Sequence, residues 1–371
     1  MKNNRRMSYA LAIVGALMIL VMGILLVGLL YKALSGGFSK EKVEVAGLVA
    51  EEISDGTGDL IDDEALEPGK ETFTRKEVAE LLQEAREEAG KEGTEGVLED
   101  IKRVLSSDEL AMVEMLRTYY ENEIVLVSGG NYHFVPVNEA LKKNEYQSEN
   151  LDILESGEIR YVEDGQVTSH KGIDVSKFQG AIDWEAVAAD GVEFAFVRVG
   201  NRGYGTEGKL MEDEMFEANV EGALQAGIKV GVYFYSQALN EEELLEEAEL
   251  VLRKIAPYKI ECPVVYDVEL VSGANGRMNA LSAKDRTDLT LLFCETIAAA
   301  GYKPMIYYNM EMATLKLELE RLEDYEKWFA YYNQELYFPY DYEIWQYSHT
   351  GRVNGIKGEV DLNISFAPIW E

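Results

Sequence analysis

Two cysteines, three histidines and a shortage of basic residues set the first limits on this 371-residue chain. Cys262 and Cys294 form no C-x-x-C motif, and no histidines cluster at ligand spacing, so no metal site is expected. Two cysteines make no disulfide framework. Buried free thiols are the expectation, with a single bridge between them the alternative. Lysine and arginine number 35 against 68 acids, a formal net charge of −33. No long basic stripe follows the N-terminal segment, which argues against nucleic acid as a partner. G-x-S-x-G, P-loop and G-x-G-x-x-G fingerprints are also missing. Serine-hydrolase, nucleotide and dinucleotide readings are therefore weak, and no cofactor is implied.

What is present begins with a hydrophobic content of 47%, enough for a real core. Lys2, Arg5 and Arg6 precede an uncharged apolar run from about Tyr9 to Tyr31. That run matches the roughly 20 residues that cross a bilayer, and it exceeds the 7–15 of a signal-peptide core. Residues 1–40 therefore read as a retained anchor rather than a cleaved leader, for which Ala33-Leu34-Ser35 is a weak site. The basic flank puts the N-terminus in the cytoplasm and the body outside a cell membrane. Residues 41–74 are acidic and poor in large apolar side chains, a flexible tether.

Residues 75–122 carry helical spacing in Val78, Leu81, Leu82 and Ala85, then Val97, Ile101, Val104 and Leu105, then Leu110, Val113 and Leu116. Ser106 to Glu109 resembles a capping box that restarts a helix. A helical stalk is expected, either a self-association element or a solvated spacer. Residues 123–170 read as a small β connector, with strands at Ile124–Val127, Tyr132–Val137 and Ile159–Val162 around the Gly129-Gly130 turn.

From 171 to 371 the rhythm changes. Strand-like runs (Phe194–Val199, Lys229–Tyr235, Pro263–Tyr266, Met305–Tyr308, Trp328–Tyr332, Tyr342–Tyr347) alternate with amphipathic stretches. Glu212–Ala226, Glu241–Ile255 and Ala283–Ala300 are the clearest helices. Gly227 and Gly301 close two of them. This alternation predicts an α/β fold, a compact TIM-like (β/α) barrel of regular or irregular type, rather than a doubly wound sheet.

Asp267 and Glu269 end the apolar run that starts at Cys262. Two residues apart on a strand, they share a face with Cα atoms about 7 Å apart. Paired carboxyls at about 5–9 Å are the apparatus of glycoside hydrolysis, and barrels present catalytic groups at strand ends. The alternative is a strand whose last acids meet solvent or cap the next helix. Asp174, after the short Gly172 strand, and Asp361, after the Trp345-Gln346-Tyr347 strand, stand at similar places. Taken singly, Asp174 reads as an Asx-turn or helix cap. Four acids at strand ends are another matter, because a barrel gathers those ends on one face.

These motifs together resemble glycoside hydrolase family 25, the lysozymes that act as N-acetylmuramidases, over about residues 171–366. Gly172 to Trp184 matches the opening G-x-D-V-S-x-x-Q-G-x-I-D-W, and Asp267-Val268-Glu269 matches D-x-E. Arg198 to Gly200, Ala226 to Ser236, Trp328 to Tyr332, Trp345 to Gly351 and Val360 to Asn363 follow in order. Phe178 departs from the usual Trp or Tyr, and Tyr331 from a polar residue. The resemblance implies Glu269 as general acid with Asp174, Asp267 and Asp361 around it. Asp267 is left as either a nucleophile or an aid to the substrate's acetamido group. Tyr233, Tyr235, Tyr307, Trp328, Tyr332, Trp345 and Tyr347 are candidate walls of a sugar groove, each with core packing as its alternative. His349 reads as a loop residue.

The implied activity is cleavage of the β-1,4 bond between N-acetylmuramic acid and N-acetylglucosamine in peptidoglycan, by a bacterial enzyme anchored beside the membrane. The rival is a non-catalytic wall-binding or assembly protein that uses the barrel as a glycan clamp. A further variant has the enzyme as one subunit of a larger envelope machine, contacting partners through the stalk.

Overall fold

The computed structural model describes residues 109–271 and 276–370. The expected anchor, the tether and most of the stalk lie outside the described residues. The N-terminal layer starts with helix α1 (Glu109–Tyr119), followed by a hairpin of β1 (Glu123–Ser128) and β2 (Asn131–Pro136). A three-stranded sheet of β3 (Leu151–Ile153), β4 (Ile159–Glu163) and β5 (Gln166–Val167) completes it.

The remaining elements alternate as the periodicity predicts. They are β6 (His170–Val175), α2 (Trp184–Ala189), β7 (Phe194–Arg202), β8 (Leu210–Glu212), α3 (Phe216–Gln225) and β9 (Lys229–Tyr235). Next come α4 (Glu241–Ile255), β10 (Val264–Asp267), α5 (Ala283–Ala299), β11 (Pro304–Asn309), β12 (Glu326–Ala330), β13 (Ile344–Gly351) and β14 (Val360–Ser365). Caps fix the helix starts. Asn240 accepts the amide of Glu243, and Ser282 that of Asp285. Three glutamates in the first turn of α4, with Arg253 and Lys254 in its last, complement the helix dipole. Gly227 and Gly301, at φ +80° and +87°, take the left-handed position that ends α3 and α5.

Eight strands close into a barrel in the order β6-β14-β13-β12-β11-β10-β9-β7, sealed by the β6–β7 pair, with β8 added outside β7. The expected TIM-like (β/α) repeat does not run through. β14 is antiparallel to both its neighbours, β13 and β6. The link 352–359 that precedes it is shorter than the dozen or so residues a parallel crossover needs, so the chain can only turn back. After β11 the cover shrinks to a π-helical turn at Met312–Lys316 and a 3₁₀ turn at Leu319–Arg321. β12 joins β13 with no helix at all.

The N-terminal layer covers that bare side. Ile124, Leu126, Leu141 and Ile159 share one buried cluster with Phe329, Phe338, Tyr342, Trp345 and Tyr347. Polar contacts follow the same line: the Val125 amide donates to Tyr337 Oη (2.7 Å) and Asn138 to Tyr340 Oη (2.8 Å). Tyr146 Oη donates to the Tyr342 carbonyl at 2.8 Å. Inside the barrel, Phe194, Phe196, Val265, Met305, Trp328 and Ile344 form a second cluster. Gly172 and Gly231 stand opposite Phe194 and Phe196, where a Cβ would lie 2.1 and 2.4 Å from the rings. Both cysteines are buried free thiols.

Candidate active site

The barrel rim gathers the acids by different routes. Asp174 lies near the end of β6, Asp267 closes β10, and Glu269 follows two residues later. Asp361 sits near the start of β14, but that strand runs backwards, so its start reaches the same rim; the register sets Asp361 opposite Asp174. The local capping jobs open to Asp174 are taken by others. Ser176 caps the turn Lys177–Gln179 in a capping box with Gln179, and Asp183 caps α2. Asp174, Asp267, Glu269 and Asp361 all line one cleft of roughly 310 Å³.

A buried relay of amides and rings holds Asp174. Gln346 Nε2 and Asn363 Nδ2 both donate to its Oδ2, at 2.8 and 2.9 Å. Tyr307 and Tyr332 hydroxyls each donate to Gln346 Oε1 at 2.8 Å, which turns the amide's NH₂ toward the carboxyl. Trp328 Nε1 does the same for Asn363, donating to its Oδ1 at 2.8 Å. Asp267 is the opposite case: its Oδ1 is buried and accepts no hydrogen bond.

Burial and mutual repulsion keep protons on this cluster. Asp174 is raised well above the carboxylate range, first by burial and then by the charge of Asp361, with the Asn363 and Gln346 donors opposing. Asp361 is pushed up to about 6 by burial, against a hydrogen bond from Asp174. Glu269 is pushed up to about 7, by burial first and Asp174 second. Asp267 is raised well above its usual range by burial, then by Glu269 and Asp174, while Arg198 pulls it down. Arg198 is the one cation lining the cleft among the described residues, and Asp213 already binds it through Nε (2.8 Å) and a terminal nitrogen (2.7 Å). The acids thus face each other with little neutralising charge.

Tyr233, Tyr235, Tyr307, Trp328 and Tyr332 line the cleft. Trp328 is only 1% exposed and forms its floor, stacked on Phe196 at 4.6 Å. Tyr332, 49% exposed, stands at the rim. Trp345 and Tyr347 do not belong there. Side chains alternate along β13, so Gln346 faces the cleft and its two neighbours face outward. Trp345 donates to the Tyr331 carbonyl at 2.7 Å, and both rings lie in the core beneath the N-terminal layer. Arg198, Gln346, Asn363 and Phe178 entered the sequence comparison only as motif positions without a site role, and Tyr204 at the rim was not noted. For Gln346 and Asn363 the available signal was an uncharged polar residue between apolar neighbours on its strand.

A barrel that collects four partly protonated carboxyls and a tyrosine wall at one mouth is a glycoside hydrolase architecture. Within that class, the chain belongs to glycosyl hydrolases family 25, whose model matches residues 173–356. It is 28% identical over 194 residues to the autolytic lysozyme of Clostridium acetobutylicum, covering 52% of this chain and 55% of that protein. The chain thus spans about half the length of that relative. The uncharacterized protein YegX of Escherichia coli K12 is 30% identical over 207 residues, covering 52% of this chain and 68% of YegX. The fold is shared with the modular autolysin LytC of Streptococcus pneumoniae, with a TM-score of 0.50 at 23% identity. That superposition covers 65% of this chain and 57% of LytC.

Proposed function

We propose that this protein is a muramidase that hydrolyses the β-1,4 bond between N-acetylmuramic acid and N-acetylglucosamine in peptidoglycan. The observation that carries the reading is Glu269, a carboxyl pushed up to about 7 at the mouth of a cleft it shares with three further acids. Such a group is protonated near neutral pH and gives its proton to the leaving glycosidic oxygen as the C–O bond breaks. Water then adds to the anomeric carbon and returns one proton to the cluster, restoring the acid. Asp267, with an oxygen that no protein group satisfies, is suited to meet the positive charge that develops at the anomeric centre or the N–H of a 2-acetamido group. Asp174 and Asp361 share a hydrogen bond, and the charge of Asp174 helps keep Glu269 protonated.

The relative from C. acetobutylicum, named an autolytic lysozyme, supports the same chemistry. Digestion of purified peptidoglycan tests it. Wild type is expected to release new muramic reducing ends, and Glu269→Gln to lose on the order of 10²–10⁴ in rate. If both proteins bind glycan and neither cleaves it, the glycan-clamp reading replaces this one.

The basic flank and apolar run of residues 1–40 support a second part of the proposal, that the enzyme works outside the cell while held to the membrane. Tethering would offset the repulsion between a strongly acidic protein and an anionic wall. Recovery of the protein from washed culture supernatant, cut near Ser35, would overturn it.

A further inference from the structure

Arg117 lies on α1, well before the segment that matches the family. Its guanidinium is nearly buried, with 9% of the side chain exposed. It lies over the Tyr337 ring at 3.6 Å, and its Nε donates to the Val125 carbonyl at 3.2 Å. One terminal nitrogen donates to Tyr331 Oη, and the other reaches Met310 Sδ at 3.7 Å. The residue therefore holds the helix-free connection between β12 and β13 from outside the barrel.

Tyr331 is fixed through its hydroxyl, its amide and its carbonyl. The hydroxyl takes the Arg117 bond and a second from Asn333 Nδ2 at 3.0 Å. The amide donates to the Gln346 carbonyl at 3.0 Å, and the carbonyl accepts Trp345 Nε1 at 2.7 Å. The next residue is Tyr332, which turns the other way, into the cleft. Its hydroxyl donates to Gln346 Oε1, and Gln346 in turn holds Asp174. Half exposed at the rim, Tyr332 is held at its tip by Gln346 and faces the His349 ring at 4.5 Å. The backbone that carries it is the part of its support that Tyr331 supplies.

We propose that Arg117 is a positioning residue that holds Tyr332 in place through Tyr331, and so sets the affinity of the cleft for glycan. The affinity part rests on reading the cleft as a glycan groove, whereas the positioning part does not. Buried Arg–phenol contacts are strong because the guanidinium is planar, always charged and able to donate while stacked.

The test uses the full chain with 3-fluorotyrosine at position 332. The fluorine resonance is compared in wild type, Arg117→Leu and Tyr331→Phe, alongside KM and kcat on soluble peptidoglycan fragments. Both substitutions are expected to shift or broaden the resonance, and to raise KM about fivefold while kcat stays within about twofold, the pattern of lost uniform binding. Tyr331→Phe removes an oxygen that Arg117 shares with Asn333, so Asn333→Ala is measured beside it. A larger effect in Tyr331→Phe than in Asn333→Ala decides the matter if Arg117→Leu does not fold. An unchanged resonance in Arg117→Leu and Tyr331→Phe overturns the proposal, whether or not the melting temperature falls. A shifted resonance with unchanged KM overturns the affinity claim. If wild type cleaves nothing, the muramidase reading fails while the fluorine measurement still judges the positioning.

Discussion

Asp267 has an unsatisfied, buried carboxylate oxygen, an arrangement that costs stability whenever the group is charged. Its pKa in the folded protein lies well above the unfolded value of about 4. The folded state therefore holds a proton that the unfolded state has released, and stability falls as pH rises through that interval. Asp267→Asn keeps the shape and removes the charge. Its melting temperature is expected to match wild type near pH 4 and to exceed it by several degrees at pH 8, with peptidoglycan cleavage largely lost. A thermal melt series across pH decides this; a variant that melts lower at pH 8 would contradict it. Glu269 makes a separate prediction. With its carboxyl pushed up to about 7, the acid needed for cleavage is present below that pH and vanishes above it. The kcat/KM profile is expected to fall about tenfold per unit on the alkaline side of neutral. A plateau held to pH 9 would remove Glu269 from the role of general acid.

Strand β9 carries Tyr233 and Tyr235 to the cleft and also supports the site through a residue that does not reach it. Gly231 lets Phe196 lie against the backbone, and a Cβ there would meet the ring at 2.4 Å and the Pro263 carbonyl at 2.8 Å. Phe196 stacks on Trp328, which holds Asn363, which holds Asp174. Gly231→Ala is expected to cost about 1–3 kcal/mol in denaturant unfolding, the usual range for an overpacked core. It should also slow cleavage, because the displaced ring lies under the relay that orients the acids. β9 and α4 were legible in the sequence to the residue, since alternation, caps and terminal charges all agreed over Lys229–Tyr235 and Glu241–Ile255. The acids the sequence reading named stand together because each lies at a strand end. Trp345 and Tyr347 show where such reading stops. Both faces of β13 are buried, so alternation shows that neighbours diverge but not which of them faces the cleft. The reversed direction of β14 was hidden for a related reason. Its own residues suit either orientation, and only the short link before it forces the turn.

Over the whole molecule, the N-terminal layer takes the place of the helices that the barrel lacks between β12 and β14. Phe338, Tyr342, Trp345 and Tyr347 are each buried, at 5% exposure or less, within a cluster that includes Ile124, Leu126, Leu141 and Ile159. Cutting the chain at residue 168 would keep the segment that matches the family and strip this cover. The aromatic face left behind would be continuous and apolar, the kind of patch that soluble monomers rarely expose. Asn138 and Asn144, which bind the backbone or side chains of Phe338 and Tyr340, would also be lost, leaving polar groups of the connection unpaired. The excised barrel is therefore expected to aggregate or to melt well below a fragment starting at residue 109. Fragments starting at 109 and 168, compared by size-exclusion chromatography and thermal melting, make the measurement. Equal melting temperatures and a monomeric short fragment would reduce the layer to a passive spacer. A large gap would make the layer part of the folding unit of the barrel.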